Sequence, residues 1–129
     1  APRLFDCPGN PYADSINHAY SDNYLRFVLL GWVAARISEG LDAKCKPEIV
    51  HSHDWHAGLV PAYIKASELA SGKKAVKTVF TVHNVAYQGL FPMSVFTELD
   101  SPGIFLSMNG LEFYGQVSFM KAGLYFADK

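Results

Sequence analysis

The hexapeptide Lys77-Thr78-Val79-Phe80-Thr81-Val82 constrains this chain more than any other stretch. It is β-branched and aromatic and carries one charge, the pattern of a strand covered on both faces. A strand is therefore predicted over 76–82. A briefer strand signal, Pro47-Glu48-Ile49-Val50-His51, precedes it. Between the two, residues 54–71 read as a helix that ends at Gly72. Pro61 lacks the N–H a helix needs beyond its first turn, so regular helix either starts near Gly58 or is kinked there, and Asp54-Trp55-His56 occupy the turn before it. Strands alternating with helices predict an α/β fold with a parallel sheet, flanking helices and right-handed crossovers.

The remaining elements follow from turn formers and apolar period. Pro2, Pro8, Gly9, Asn10, Pro11 and Asp14 predict an irregular segment over 1–20. Ser21 and Asp22 are N-cap candidates for a helix that stops at Gly40, with Leu25, Val28, Leu29 and Trp32 as its apolar face. Residues 84–110 are rich in Gly and Pro and leave room for a short helix over 94–99. A last helix is predicted over 117–127, with Val117, Met120, Leu124 and Phe126 for packing.

A chain of 129 residues, half of them apolar and 14% aromatic, builds one domain with a real core. Its formal charge of −1 gives no basic footprint for nucleic acid. No apolar run reaches the roughly 20 residues of a membrane helix. Cys7 and Cys45 form no close pair and are expected as free thiols in a reducing cytoplasm. Ala1 opens without an initiator Met, and the last helical pattern runs to the end without a cap. Both ends therefore read as cut from a longer protein.

Ligands of parallel sheets sit beyond the carboxyl ends of the strands. Two polar clusters fall there: His51-Ser52-His53-Asp54-Trp55-His56, and His83-Asn84 directly after the apolar strand. Together they form one candidate site, against the plainer alternative that the histidines cap backbone groups and pack. A zinc site is the sharp competitor, because His51, His53, Asp54 and His56 have ligand chemistry. The spacing opposes it: Trp55 stands where a His-x-His-x-Asp-His hydrolase motif needs Asp. A strand also puts residues 51 and 53 on one face and 54 on the other. The stiff loop from Phe5 to Tyr12 could hold Tyr12 or Asp6 against a ligand, and Tyr87 and Gln88 are suited to sugars. No phosphate-cradling Gly-rich motif is present.

Five motifs make the pattern specific. They are Pro-Gly-Asn-Pro-Tyr at 8–12, Asp22-Asn23 with Leu25-Arg26-Phe27, and His53-Asp54-Trp55-His56-Ala57-Gly58-Leu59. Phe80-Thr81-Val82-His83-Asn84-Val85-Ala86-Tyr87-Gln88-Gly89 and Asn109-Gly110-Leu111-Glu112-Phe113-Tyr114-Gly115-Gln116 complete them, with Lys121-Ala122-Gly123-Leu124 closing the series. The series, spread over essentially the whole chain in order, resembles bacterial glycogen synthases. Plastid starch synthases share much of it, and His56-Ala57-Gly58 leans bacterial.

The resemblance implies a GT-B architecture of two Rossmann-like domains. Residues 1–129 would be a fragment of the N-terminal, acceptor-side domain, with the C-terminal domain and the family's Lys-Thr-Gly-Gly-Leu loop outside them. It implies glucose transfer from ADP-glucose to the nonreducing end of an α-1,4-glucan, with retention and without cofactor or metal. By position it implies His83 against the transferred glucose as the catalytic residue. Tyr12, Asp54, Trp55, His56, Asn84 and Gln88 are implied as substrate-binding residues. The helix-to-strand connection over 67–75 is longer than is common in the family. The rival function is a catalytically silent carbohydrate-binding or interaction module.

Overall fold

The computed structural model describes residues 2–73 and 76–129. Helix α1 (Pro2–Phe5) is a single turn. Helix α2 (Asn23–Ser38) leads into strand β1 (Ile49–His53). A 3-10 turn, Trp55–Ala57, then opens helix α3 (Leu59–Ser71). Strand β2 (Lys77–Thr81) pairs with β1 in parallel, with Ile49 opposite Lys77 and His53 opposite Thr81. The α/β expectation holds. The 67–75 connection falls partly outside the described residues, at 74 and 75.

Asp54, Trp55 and His56 do occupy a turn ahead of regular helix, as Pro61 requires. Helix α3 ends at Gly72 in the left-handed region, whose N–H bonds the Glu68 carbonyl at 2.9 Å. Helix α2 ends in a Schellman arrangement. Gly40 N–H bonds the Ile37 carbonyl at 3.0 Å and Leu41 N–H the Arg36 carbonyl at 2.9 Å.

Several expectations are corrected. The segment 1–20 contains α1. Asp22 stands at the N-cap of α2 but makes no capping bond, because its carboxylate takes the Arg26 Nε–H at 2.9 Å. The buried stripe of α2 is Asn23, Phe27, Gly31 and Ala35, while Trp32 is exposed and Leu25, Val28 and Leu29 are half-buried. Small residues lie there because α3 comes close: a Cβ on Gly31 would sit 3.1 Å from that of Leu59. Strand β2 is not buried on both faces. Thr78 and Phe80 are buried and Val79 and Thr81 half-open, as a two-stranded sheet is too narrow to be covered throughout.

The 84–118 region holds a second sheet that the sequence did not announce. Strands β3 (Leu90–Pro92), β4 (Glu112–Phe113) and β5 (Gln116–Ser118) pair antiparallel in the order β3-β5-β4. Tyr114 and Gly115, both at positive φ, make the two-residue hairpin turn between β4 and β5. The short helix expected over 94–99 is a 3-10 helix, Met93–Glu98. The last helix, α4 (Phe119–Phe126), starts later than 117, because Val117 and Ser118 belong to β5. Ser118 caps it, its hydroxyl accepting the Lys121 N–H at 3.1 Å. Leu124 is exposed; Phe119, Met120, Ala122 and Gly123 do the packing.

One core joins these layers: Phe27 and Ala35 of α2, Leu59, Val60, Ala62, Tyr63 and Ile64 of α3, Leu111 just before β4, Val117 of β5, and Phe119 and Ala122 of α4. The α3–α4 approach is tight at Gly58, where a Cβ would fall 1.9 Å from the Phe119 carbonyl oxygen. That closeness brings the turn at 54–58 against the small sheet and positions the site.

Candidate functional site

The carboxyl ends of β1 and β2 lie side by side, as parallel register demands. Asp54 N–H bonds the Thr81 carbonyl at 2.9 Å, extending the ladder by one step. The backbone then turns sharply, with Asp54 at φ 56° and ψ 177°. Such sparsely populated conformations cost about 1–3 kcal/mol and collect at functional sites. The turn aims the Asp54 carboxylate at the end of β2, where it accepts the His83 N–H at 2.7 Å and the Asn84 N–H at 3.4 Å. The His83 N–H, more than any other influence, holds the Asp54 carboxyl below its usual pKa. Asp54 is thus an ionised latch between two strand ends.

Facing the latch is a cleft of about 660 Å³ lined by Asn10, Tyr12, Asn17, Asn23, Asp54, Trp55, His56, Asn84 and Tyr87, among others. Five residues expected from sequence therefore share one surface: Tyr12, Asp54, Trp55, His56 and Asn84. His56 sits among rings, with centroids 5.0 Å from Tyr12, 5.1 Å from Phe27 and 4.1 Å from Trp55. Burial there pushes its pKa below the usual value, against the opposing pull of Asp54.

The Trp55 ring lines the cleft but also packs edge-on to Phe27 at 4.7 Å and lies 6.0 Å from Phe91. Gly89, at φ 60°, closes over it, and a Cβ there would fall 2.4 Å from the Trp55 Cε3. Much of the indole is thus committed to structure.

His83 and Gln88 lie outside the cleft lining. The His83 ring is exposed and turns to His53, with Nε2 and the His53 Nδ1 3.0 Å apart. Gln88 serves through its backbone, whose carbonyl accepts the Met120 N–H at 3.2 Å and the Ser118 hydroxyl at 3.3 Å. Asp6 is likewise outside this lining.

Sequence reasoning missed Asn10, Asn17 and Asn23. Asn10 Oδ1 accepts the N–H groups of Tyr12 at 2.8 Å and Ala13 at 2.9 Å. Asn23 Nδ2 donates to the Tyr12 carbonyl at 2.8 Å. Asn17 stands at φ 64°, a left-handed position that asparagine tolerates. An asparagine in a turn-rich segment was the available signal. Among the described residues no three of His, Cys, Asp or Glu are grouped to hold a metal ion. Cys7 and Cys45 are free thiols.

A family model for the starch synthase catalytic domain matches residues 1–129. The chain belongs to this family. Glycogen synthase of Francisella tularensis subsp. holarctica (strain LVS) is 92% identical over 129 residues, which are 100% of this chain and 26% of that protein. Glycogen synthase of Francisella philomiragia subsp. philomiragia is 91% identical over 129 residues, 27% of its length. The chain spans about a quarter of the length of these curated family members. The catalytic domain of starch synthase IV from Arabidopsis thaliana, solved bound to ADP and acarbose, superposes with a TM-score of 0.68 at 24% identity. That match covers 86% of this chain and 23% of the plant chain, and gives the same fold. The α/β arrangement of a parallel sheet with flanking helices is therefore similar to part of a starch synthase GT-B domain. No helix among the described residues is long and apolar enough to cross a membrane.

Proposed function

We propose that this chain is the acceptor-side portion of the N-terminal domain of a cytoplasmic bacterial glycogen synthase. The enzyme transfers glucose from ADP-glucose to the nonreducing end of an α-1,4-glucan with retention. The observation that carries the proposal is the latched pair of strand ends beside a cleft of aromatic and amide side chains, in a chain of this family.

Glucosyl transfer passes through an oxocarbenium-like state. Its diphosphate leaving group needs positive charge, which the cleft residues do not offer and which belongs to the opposite domain. This half holds two sugars in line. Tyr12, Asn84 and the neutral form of His56 supply hydrogen bonds, the exposed part of Trp55 supplies an apolar surface, and His83 lies against the transferred glucose. Gln88 acts as a backbone support for the loop that carries Tyr87.

Two measurements test the proposal. The purified 129-residue chain alone should transfer no glucose from ADP-glucose to glycogen; turnover by it would refute the division of labour. In the full-length enzyme, His83→Ala should lower kcat about 100- to 1,000-fold, the usual cost of one rigidly placed donor, with an unchanged melting temperature. A destabilised but fully active variant would make His83 a structural residue.

A further inference from the structure

His53 ends β1 and His83 lies two residues beyond the end of β2, so the parallel register sets them beside each other. The His53 Nδ1 and His83 Nε2 are 3.0 Å apart, and the two rings are stacked at 5.3 Å with 24° between planes. Ser52 is buried, which turns the flanking His51 and His53 outward together. The His51 ring lies 4.2 Å from that of His53 and is tied by Nε2 to the Thr81 hydroxyl at 2.8 Å. Three imidazoles thus stand in a row along the strand ends. Among the described residues, the His53 contact is the only hydrogen bond to the His83 ring.

A hydrogen bond between two ring nitrogens needs one N–H and one lone pair. When His53 Nδ1 carries the hydrogen, His83 Nε2 must be bare, and a neutral His83 then bears its proton on Nδ1. When His83 Nε2 carries it, Nδ1 of His83 is the bare nitrogen. The tautomer of one ring dictates that of the other. The backbone of His83 has a separate anchor, its N–H on the Asp54 carboxylate at 2.7 Å. Adjacent residues therefore divide the work, Asp54 holding the main chain of His83 and His53 holding its ring.

We propose that His53 is a positioning residue that fixes the orientation and tautomer of His83, leaving Nδ1 as the nitrogen His83 presents to the sugar and setting whether it donates or accepts there. The catalytic part rests on the synthase function proposed above; the ring pairing stands on geometry alone.

The test uses His53→Ala and His53→Asn in the full-length enzyme, with His83→Ala alongside. Asparagine places its amide near the lost Nδ1. The readouts are kcat, KM for donor and glucan, and the 15N shifts of the His83 imidazole. His53→Ala should lower kcat roughly tenfold, the low end of what losing the partner that orients a histidine costs in metal sites. Its KM values should hold, and the two His83 nitrogens should move toward the averaged shifts of a free ring. His53→Asn should recover most of the lost kcat and restore distinct shifts. Unchanged His83 shifts in His53→Ala would overturn the proposal whatever happens to activity or melting temperature. Changed shifts with unchanged kcat, in an enzyme that His83→Ala inactivates, would also overturn it. Full activity in His83→Ala would instead remove the synthase role of His83, and the catalytic role of His53 with it.

Discussion

The two walls of the cleft are built by different means. One wall, at the ends of β1 and β2, is set by backbone: a parallel ladder, one further bond from Asp54 to Thr81, and the Asp54 latch. The other wall, the loop from Gly9 to Tyr20, has scattered backbone bonds in place of a ladder: Asn10 N–H to the Ala13 carbonyl at 2.9 Å, Asp14 N–H to the His18 carbonyl at 2.9 Å, Tyr20 N–H to the Tyr12 carbonyl at 3.1 Å, and one bridge, Ala13 with Ala19. Side chains reinforce it. Asn10 grips Tyr12 and Ala13, Asp14 accepts from Ile16 and His18 at 3.0 and 2.9 Å, and Asn23 and Tyr20 tie it to its surroundings. Position on the first wall follows from strand register, whereas position on the second follows from local turns that replaceable polar side chains reinforce. The first suits chemistry that tolerates little displacement. On the synthase function proposed above, the second suits a surface that accepts sugar chains.

The contrast can be broken most severely at Asp54. In the full-length enzyme, Asp54→Ala should free the His83 and Asn84 N–H groups and lower kcat about 100-fold, the typical cost of misplacing a reacting group by an ångström. Steady-state kinetics with a parallel melting curve checks this. A change confined to KM would place Asp54 with the loop wall.

The ladder wall also depends on the approach of α3 to α4. Gly58→Ala would push a methyl into the Phe119 carbonyl and should cost about 1–3 kcal/mol of stability, read from denaturant midpoints. No such loss would mean that the turn before α3 shifts freely, and the contrast between walls would weaken.

On the loop wall, Asn10→Ala removes the acceptor of two N–H groups. Such bonds are worth about 0.5–1.5 kcal/mol each. KM for glucan should rise about fivefold, equivalent to about 1 kcal/mol, while kcat holds. An equal loss in kcat would show that this loop too is chemically committed.

The smallest effect concerns His56, where the walls meet. Its folded-state pKa lies below the usual 6.5 because burial disfavours the charged ring. Between the folded and unfolded values the unfolded chain binds the proton more readily. Its contribution is therefore complete above the unfolded pKa and is lost as pH falls from there through the folded pKa. Melting temperatures from pH 8 to pH 5 should show this decline, and His56→Gln should flatten it. An unchanged slope in that variant would assign the decline to other groups.

The β1-α3-β2 unit was legible because its signals are local: a β-branched run, a proline that fixes a helix start, and a glycine that ends it. The polar clusters at the strand ends followed from topology. The small antiparallel sheet was not legible, since strands of two and three residues leave no alternation to count. The face of α2 was misjudged for another reason. Apolar period points to Leu25, Val28, Leu29 and Trp32, but burial goes to Phe27, Gly31 and Ala35, which α3 can approach closely. Asn23 escaped notice because it clamps the Tyr12 carbonyl eleven residues away, and Asn10 because its local bonds, two and three residues on, read only as turn chemistry; asparagine in a loop carries no period. The partition of Trp55 between cleft and core depends on Phe27, Phe91 and Gly89, residues far from it in sequence.

The narrow parallel sheet has a further consequence, for handling the chain by itself. Among the described residues β1 pairs only with β2, and Ile49 on that open border is 60% exposed. An uncovered strand border is a template that recruits extended segments of other molecules. Expressed by itself, the chain therefore carries a border open to self-association at the strand that bears His51 and His53. Association through that border should rise with concentration, and a lysine in place of Ile49 is the simplest guard.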